Sequence, residues 1–162
     1  MIAIGSLTTS RSIACGYGEA ANYIRNQQLR SVEELVRVES YFPALKQVLP
    51  ELEEVVRETS APNWDGYDAL PVATETFELA KDFLRSLPAS VPIPSVGAEA
   101  DGMLVFEWYH SPRRILSVSI SPTGELHYAA LIGASKSSGT EISYGKMPSI
   151  IGLLIRQVYN QV

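Results

Sequence analysis

The hydrophobic pattern of this chain changes its period once, near residue 88, and that change determines the fold class. Before it, apolar residues recur at three- and four-residue steps, as on one face of a helix. After residue 100 they form short runs rich in β-branched and aromatic side chains, divided by turn residues. We therefore predict a single α+β domain over residues 1–162, with a helical half at 19–87, a proline-rich linker at 88–100 and a β-rich half at 101–162.

The helical half is predicted to begin with broken helices. Apolar residues share one stripe over residues 19–28, and Ser31 and Glu34 have the spacing of a capping box before a helix at 32–40. Pro43 and Pro50 each fit the first turn of a new helix, where the missing N–H is not needed. We therefore expect a break in the helical structure at both prolines.

A central amphipathic helix is predicted over residues 74–87, ending before Pro88. Its apolar residues share one face, and charged residues lie between them. The residues of the apolar face are Phe77, Ala80, Leu84 and Leu87.

The β-rich half is predicted to be a four-stranded antiparallel meander covered by a C-terminal helix at 149–160. Leu116, Val118 and Ile120 alternate with serines, so one face of that strand meets the core and the other a wetter surface. Alternation likewise places His127 on the face of Ala129 and Leu131. Residues 133–139 are predicted to be a loop, and the strands to be residues 103–109, 114–120, 125–131 and 141–144.

The charge and the cysteine content limit the classes of partner. The formal charge of −5 and the pI near 5.0 argue against nucleic acid and favour another protein, including a basic or nucleic-acid-binding one. Cys15 is the only cysteine, so no internal disulfide is expected and a reducing cytoplasm is the predicted location. No apolar run approaches the ~20 residues of a membrane span. A homodimer is compatible with this composition.

An enzyme is the first alternative, although the groups that catalysis requires are few. His110 and His127 are the only histidines. A small hydrolase or nuclease would use His127 as a general base together with Asp65 or Glu107. Asp65 and Asp68 lack the alternating spacing and the terminal Glu of a calcium loop. We assign no catalytic residue, no metal ligand and no cofactor.

A single-stranded nucleic-acid platform is the second alternative. Arg113 and Arg114 join a hairpin to a strand, and Lys136 and Lys146 lie in later loops at positions compatible with the same end of the sheet. Exposed aromatic side chains beside these cations would let bases stack while the cations bind phosphates. The aromatic candidates are Trp108 and Tyr109.

The segment at residues 62–71 has the strongest turn chemistry in the chain, beside two large aromatic residues. Asn63 and Asp65 are able to bond their own backbone, Gly66 accepts a positive φ, and a proline lies at each end. Trp64 and Tyr67 therefore have two readings. They either anchor a preset turn onto the sheet, or they form an exposed aromatic site for a partner.

The same segment carries a resemblance. It lies in three parts of the chain: residues 63–71, the amphipathic helix that ends before Pro88, and the run from Asp101 to Trp108. These parts resemble a loosely defined group of uncharacterised small bacterial proteins that share an Asn-Trp-Asp-Gly-Tyr…Ala-x-Pro motif. Residues 1–60 are unmatched. The resemblance implies a bacterial or phage setting and a compact α+β module, but no activity.

Small acidic proteins of this kind act by occupying a partner surface, as antitoxins, anti-defence inhibitors or accessory subunits do. The absence of a catalytic set and the aromatic content of the turn point the same way. We therefore expect a non-enzymatic protein-binding module. Its predicted partner-binding residues are Trp64, Asp65, Tyr67, Trp108 and Tyr109.

Overall fold

A computed structural model describes residues 42–143 and 145–159, together with Ile24 and Gln27. The chain divides into two units, Met1–Arg37 and Val38–Val162, and the fold described here is that of the second. The helices predicted at 19–28 and 32–40 lie outside the described residues, except that Ile24 and Gln27 are helical. The single-domain organisation therefore stays a prediction.

The described part of the chain is an α+β structure built on a five-stranded antiparallel sheet. Each strand pairs with the next one in sequence, so the sheet is a meander with the order β1-β2-β3-β4-β5. Tight turns suffice for these connections because consecutive antiparallel strands end and begin at the same edge. The strands are β1 (Ser95–Ala98), β2 (Leu104–Ser111), β3 (Arg114–Ile120), β4 (Glu125–Ile132) and β5 (Ser135–Ile142).

Three long helices of the described region pack on this sheet: α1 (Pro43–Glu58), α2 (Thr74–Ser86) and α3 (Ser149–Tyr159). α1 contacts β1 and α2, whereas α2 contacts β2 and β3, and α3 contacts β2, β3 and β4. The apolar sides of all three helices share one hydrophobic cluster with alternate residues of the strands. The amphipathic α2 and the closing helix are confirmed.

An aromatic cluster joins α2 to β2 at the centre of this core. The Phe83 ring lies 5.5 Å from that of Phe106 and 6.4 Å from that of Trp108, between ring centroids. Trp108 has no exposed surface, and its indole N–H donates a 2.7 Å hydrogen bond to the Pro92 carbonyl. That bond matters because a buried indole N–H without a partner would be costly.

The sheet has one strand more than the four predicted. β1 lies within the segment predicted to be a linker, where Val96 and Ala98 pair with Phe106 and Leu104. Pro94 directly precedes the strand, and a proline at the start of an edge strand removes no ladder hydrogen bond. The prolines that indicated a linker therefore lead into a short edge strand.

The loop predicted at residues 133–139 is also wrong, because it is largely strand. Residues 133 and 134 form a two-residue turn, and β5 begins at Ser135. Gly133 has a φ of +66°, as the first position of a type II′ hairpin turn requires. The serines of β5 have low β propensity, but pairing with β4 overrides it.

The break predicted at Pro50 does not occur, since α1 is one helix of 16 residues that contains this proline. Pro43 occupies the first turn as expected. An interior proline costs a helix roughly 3 kcal/mol. Pro50 is on the exposed side of α1, and the buried side, which includes Leu45, Val48 and Leu52, offsets that cost by packing on the core.

Trp108 and its neighbour Tyr109 provide a matched test of this core. We expect Trp108→Ala to lower the free energy of unfolding by about 3–5 kcal/mol, because it removes a fully buried aromatic ring. Tyr109→Ala should change it by about 0.5 kcal/mol or less, because Tyr109 is 54% exposed on the other face of the same strand. Urea unfolding measures both values, and similar losses for the two variants would contradict this description of β2.

Candidate interaction site

Residues 62–71, here named the aromatic loop, are closed by hydrogen bonds of their own. The Asn63 N–H donates to the Ala69 carbonyl at 2.8 Å, and the Asp68 N–H donates to Asn63 Oδ1 at 2.8 Å. Between these residues, the Gly66 N–H donates to the Asn63 carbonyl at 3.0 Å, so residues 63–66 form a β-turn. Asn63 therefore ties both ends of the loop together.

Asp65 holds the far side of the aromatic loop. Its Oδ1 accepts the N–H groups of Tyr67 at 2.8 Å and Ala69 at 3.2 Å. Asn63 and Asp68 have positive φ values of 61° and 67°, a conformation that Asn and Asp tolerate better than other side chains. The carboxylate of Asp65 thus serves the loop backbone, so it shapes the predicted site from within.

Neighbouring segments anchor the aromatic loop on both sides. The Leu70 N–H donates to the Ala100 carbonyl at 2.8 Å, and the Val72 N–H donates to the Thr59 carbonyl at 3.1 Å. Gly102, with a φ of +86°, approaches the loop so closely that a Cβ there would lie 3.0 Å from the Pro71 carbonyl oxygen. The loop is therefore held between the end of α1 and the turn before β2.

The two aromatic residues of the loop have different roles. Trp64 is half-buried, and its indole N–H donates to the Leu70 carbonyl at 2.9 Å, so it belongs to the framework. Tyr67 is 88% exposed and Leu70 is 58% exposed. The loop thus holds one aromatic and one aliphatic side chain in solvent on a hydrogen-bonded frame.

The five predicted partner-binding residues do not form one surface. Trp108 lies in the core, where a partner cannot contact it. Tyr109 is exposed near the end of β2, whereas the aromatic loop packs beside Gly102, before that strand begins. At about 3.3 Å per residue the two sites are on the order of 20 Å apart. Trp64, Asp65 and Tyr67 are the three predicted residues that the structure brings together.

Leu70 is a site residue that no pattern in the sequence indicates. It stands alone between turn residues, so no apolar period singles it out. The signal for it is its place before Pro71, because the residue before a proline is held extended. In the structure the Leu70 N–H donates to the Ala100 carbonyl, and most of the side chain is in solvent.

The residues of the enzyme alternative are not assembled. His127 lies on the face of Ala129 and Leu131, as alternation predicted, with Nδ1 2.9 Å from Thr140 Oγ1 and Nε2 3.8 Å from a Glu125 carboxylate oxygen. Glu107 lies two strands away on β2, where the Ser117 hydroxyl reaches it at 3.5 Å. Two strand spacings exceed about 9 Å. Asp65 is bonded to the aromatic loop.

His110 also lies outside a catalytic arrangement. Its ring meets that of Tyr159 edge to face, with 5.6 Å between the centroids. Burial raises the pKa of the Tyr159 hydroxyl above its usual value. The contact is a packing contact between β2 and α3.

Three of the four predicted cations come together at one end of the sheet. The Gly133 N–H donates to the Arg113 carbonyl at 2.7 Å, which joins the β2–β3 turn to the β4–β5 turn and brings Lys136 to the same end. Arg114 Nη1 donates to the Gln157 carbonyl at 3.1 Å. Lys146 follows β5 and lies at the opposite end.

The comparisons with known proteins found no match for this chain. No family model matches the chain, and no curated protein or solved structure matches it either. The resemblance to the group of small bacterial proteins therefore stays a prediction.

Within the described ranges, no helix is long and apolar enough to cross a membrane. Nor do three or more His, Cys, Asp or Glu side chains in that part of the chain form a group that could hold a metal ion.

Gly102 tests how firmly the aromatic loop is seated. Gly102→Ala should lower the free energy of unfolding by about 1–2 kcal/mol for its positive φ, and by about 1 kcal/mol more for the Cβ against Pro71. It should also raise the exchange rate of the Leu70 amide hydrogen, because that N–H is bonded at the same junction. Urea unfolding and hydrogen exchange measure the two effects.

Gly133→Ala is the control for backbone strain alone. Gly133 has a φ of +66°, but a Cβ there would meet nothing within 4 Å. We expect this variant to lose only the strain energy and to leave the Leu70 amide protected. Equal effects of the two substitutions would show that the aromatic loop does not depend on the close approach of Gly102.

Proposed function

We propose that this chain is a non-enzymatic protein-binding module of bacterial or phage origin, located in the cytoplasm. It acts by occupying a partner surface, as an inhibitor, an antitoxin-like protein or an accessory subunit. One observation carries the proposal: Tyr67 and Leu70 stand in solvent on a loop whose backbone is held by its own hydrogen bonds.

The stiffness of the aromatic loop supports this role. Binding costs free energy for every segment that must be ordered, so a loop already fixed by Asn63 and Asp65 loses less than a flexible one. Tyrosine is enriched among the residues that dominate interface energies, because its ring is large and has few rotatable bonds. Tyr67 would be the anchor of the interface, and Leu70 would extend its apolar centre.

The charges beside the loop favour a basic partner. Asp68 and Asp101 are exposed next to the apolar pair, and the Leu70–Ala100 hydrogen bond holds their two segments together. The sequence has no Lys or Arg between Arg57 and Lys81. A carboxylate rim around an aromatic centre attracts cationic surfaces and raises the rate of association with them. A nucleic-acid-binding protein has such a surface.

The two alternatives have less support. A hydrolase or nuclease would need His127 beside Asp65 or Glu107, and both carboxylates lie elsewhere. For single-stranded nucleic acid, Tyr109 is exposed on the open face of the sheet, but Arg114 is bonded to the Gln157 carbonyl on the other face, and Trp108, the second stacking residue, is in the core.

The partner surface is tested by affinity capture from a lysate of the source cells, followed by titration of the protein that is captured. We expect Tyr67→Ala to weaken binding by about 2 kcal/mol, roughly 30-fold, because it truncates the central anchor. The free energy of unfolding should stay within about 0.5 kcal/mol of the wild type, because Tyr67 is exposed. Calorimetric titration gives the affinity and urea unfolding gives the stability.

Tyr109→Ala is the matched control. It also removes an exposed tyrosine side chain, but at the end of β2 that is far from the aromatic loop. It should bind the partner as tightly as the wild-type chain does. If Tyr109→Ala lost binding while Tyr67→Ala kept it, the interface would lie on the open face of the sheet. If the wild-type chain captured nothing, the proposal of a protein partner would fail.

A further inference from the structure

The outer edge of β5 presents backbone groups that no described residue binds. A two-residue turn joins β4 to β5, so Ile132 and Ser135 form a hydrogen-bonded pair and the odd-numbered residues of β5 bond to β4. The Ser143 N–H, which donates to the Gly124 carbonyl at 3.2 Å, continues this series. The N–H and C=O groups of the even-numbered residues therefore point outward, in the plane of the sheet. These residues are Lys136, Ser138, Thr140 and Ile142.

The opposite edge of the sheet is protected, whereas this one is not. β1 has only four residues, Pro94 precedes it, α1 contacts it, and Glu51 Oε1 accepts the Val96 N–H at 3.4 Å. Short strands, prolines and covering elements are features that keep a sheet edge from pairing with another chain. β5 has eight residues and no proline, and none of the described helices contacts it. It is therefore an open site for one more strand.

The backbone pattern of β5 limits how a second copy of it can pair. Two copies related by a twofold axis pair antiparallel, and outward-pointing residues must face outward-pointing residues. An axis at Gly139 satisfies all of them. It places Lys136 opposite Ile142 of the second copy, and it also places Ser138 opposite Thr140. An axis at Ser138 would leave Ile142 without a partner in β5. An axis at Thr140 would leave Lys136 without one.

The side chains that meet in this register are complementary. Ile142 is 52% exposed in the single chain. The aliphatic stem of Lys136 from the second copy would cover it, and the ammonium group would extend toward Glu125, which pairs with Ile142 on β4. Ser138 and Thr140 would face each other as a pair of hydroxyl groups, which stabilises adjacent strands. Both contacts would occur on each side of the axis.

The centre of this pairing has neither a bulky side chain nor a net charge. Tyr128 packs over Gly139 so closely that a Cβ there would lie 2.6 Å from the Tyr128 hydroxyl oxygen. The two glycines would form a non-hydrogen-bonded pair, whose Cα atoms lie about 4.5 Å apart. β5 contains one lysine and one glutamate. Its net charge is therefore zero in a chain with a formal charge of −5, so two acidic chains meet here with little repulsion.

We propose that two copies of this chain form a dimer through antiparallel pairing of β5, with the twofold axis at Gly139 and one continuous sheet. The interface consists mainly of backbone hydrogen bonds and buries little area, so the dimer is weak, with a Kd of about 10–100 µM. β2 lies three strands from β5, so the aromatic loop beside its start stays accessible in both copies. The dimer therefore presents two aromatic loops, which strengthens binding to a partner that has two matching surfaces.

Sedimentation equilibrium of the whole chain measures the Kd, and hydrogen exchange at two protein concentrations locates the interface. The amides of the outward-pointing residues should exchange more slowly as the dimer forms, because each N–H gains an acceptor. The amides of Ser137, Gly139 and Glu141 should be unaffected, since β4 already binds them. Protection that rises with concentration only at other residues would place the interface elsewhere and overturn the proposal.

Ser138 supplies a matched pair of variants. Ser138→Pro removes an outward N–H and no bond to β4, so the single chain should fold while the Kd rises at least about 30-fold. Ser138→Ala keeps the N–H, and its Kd should stay within about threefold of the wild-type value. Urea unfolding checks the fold of both variants. Equal Kd values for the two would contradict the pairing of β5.

Ile142→Lys carries the test if Ser138→Pro does not fold. It changes an exposed side chain and places a second cation opposite Lys136 of the other copy. Like charges directly opposite each other destabilise paired strands, so the Kd should rise about tenfold. An unchanged Kd would overturn the register.

Cysteine cross-linking tests the register directly. Both chains carry Cys15→Ser, so that the introduced thiol is the only one. Residues 138 and 140 of different copies would face each other with about 5.5 Å between Cα atoms, within the range that a disulfide spans. A Ser138→Cys chain and a Thr140→Cys chain should therefore become disulfide-linked when mixed and oxidised in air, and neither should do so alone.

Two further results would contradict the proposal. Disulfide-linked dimers of the Ser138→Cys chain alone would place the axis at Ser138. A wild-type chain that stays monomeric at about 1 mM would show that β5 does not pair with a second copy.

Discussion

The packing of Phe83 on Phe106 and Trp108 is the interaction on which the rest of this fold depends. It joins α2 to β2, which is paired on both sides, so it connects the helical layer to an interior strand of the sheet. Buried aromatic side chains remove about 150–250 Å² each from water, worth several kcal/mol apiece. A domain with a net stability of about 5–15 kcal/mol depends strongly on such a cluster.

The same packing determines what the other face of the sheet carries. Because side chains alternate along a strand, placing Phe106 and Trp108 in the core sends Glu107 and Tyr109 to the opposite face. The pairing then places Ser117, Ser119 and His127 on that face. Contacts satisfy these polar groups locally, for example between Ser119 Oγ and Glu99 Oε1 at 2.8 Å. His127 therefore belongs to a polar surface rather than to a pocket.

The sequence predicted the elements whose patterns are local. The ends of α2 follow from its apolar stripe and from Pro88, and β3 follows from strict alternation. The aromatic loop was predicted as a preset turn because Asn63, Asp65 and Gly66 act on their own backbone. These features could be predicted because each depends on residues only a few positions apart.

The sequence did not predict the features that depend on distant partners. β1 exists because Val96 meets Phe106, and the strand predicted at 141–144 begins at Ser135 because the serines of β5 complete the ladder of β4. Neither segment has the apolar content of a strand. The burial of Trp108 and the exposure of Tyr67 follow from which face each element presents to the core. The space beside α3, over β5, depends on how far that helix extends across the sheet, which no local pattern specifies.

The order of the strands places several cations at one end of the sheet and several carboxylates at the other. In an antiparallel meander the connections alternate between the ends, so the β2–β3 and β4–β5 turns share one end with Arg113 and Lys136. The β1–β2 and β3–β4 connections share the other end with Asp101 and Glu125. At physiological ionic strength, fields between exposed charges decay over about 8 Å, less than the length of the strands. A basic protein at the aromatic loop would therefore meet the field of the nearby carboxylates, which the cations at the far end scarcely weaken.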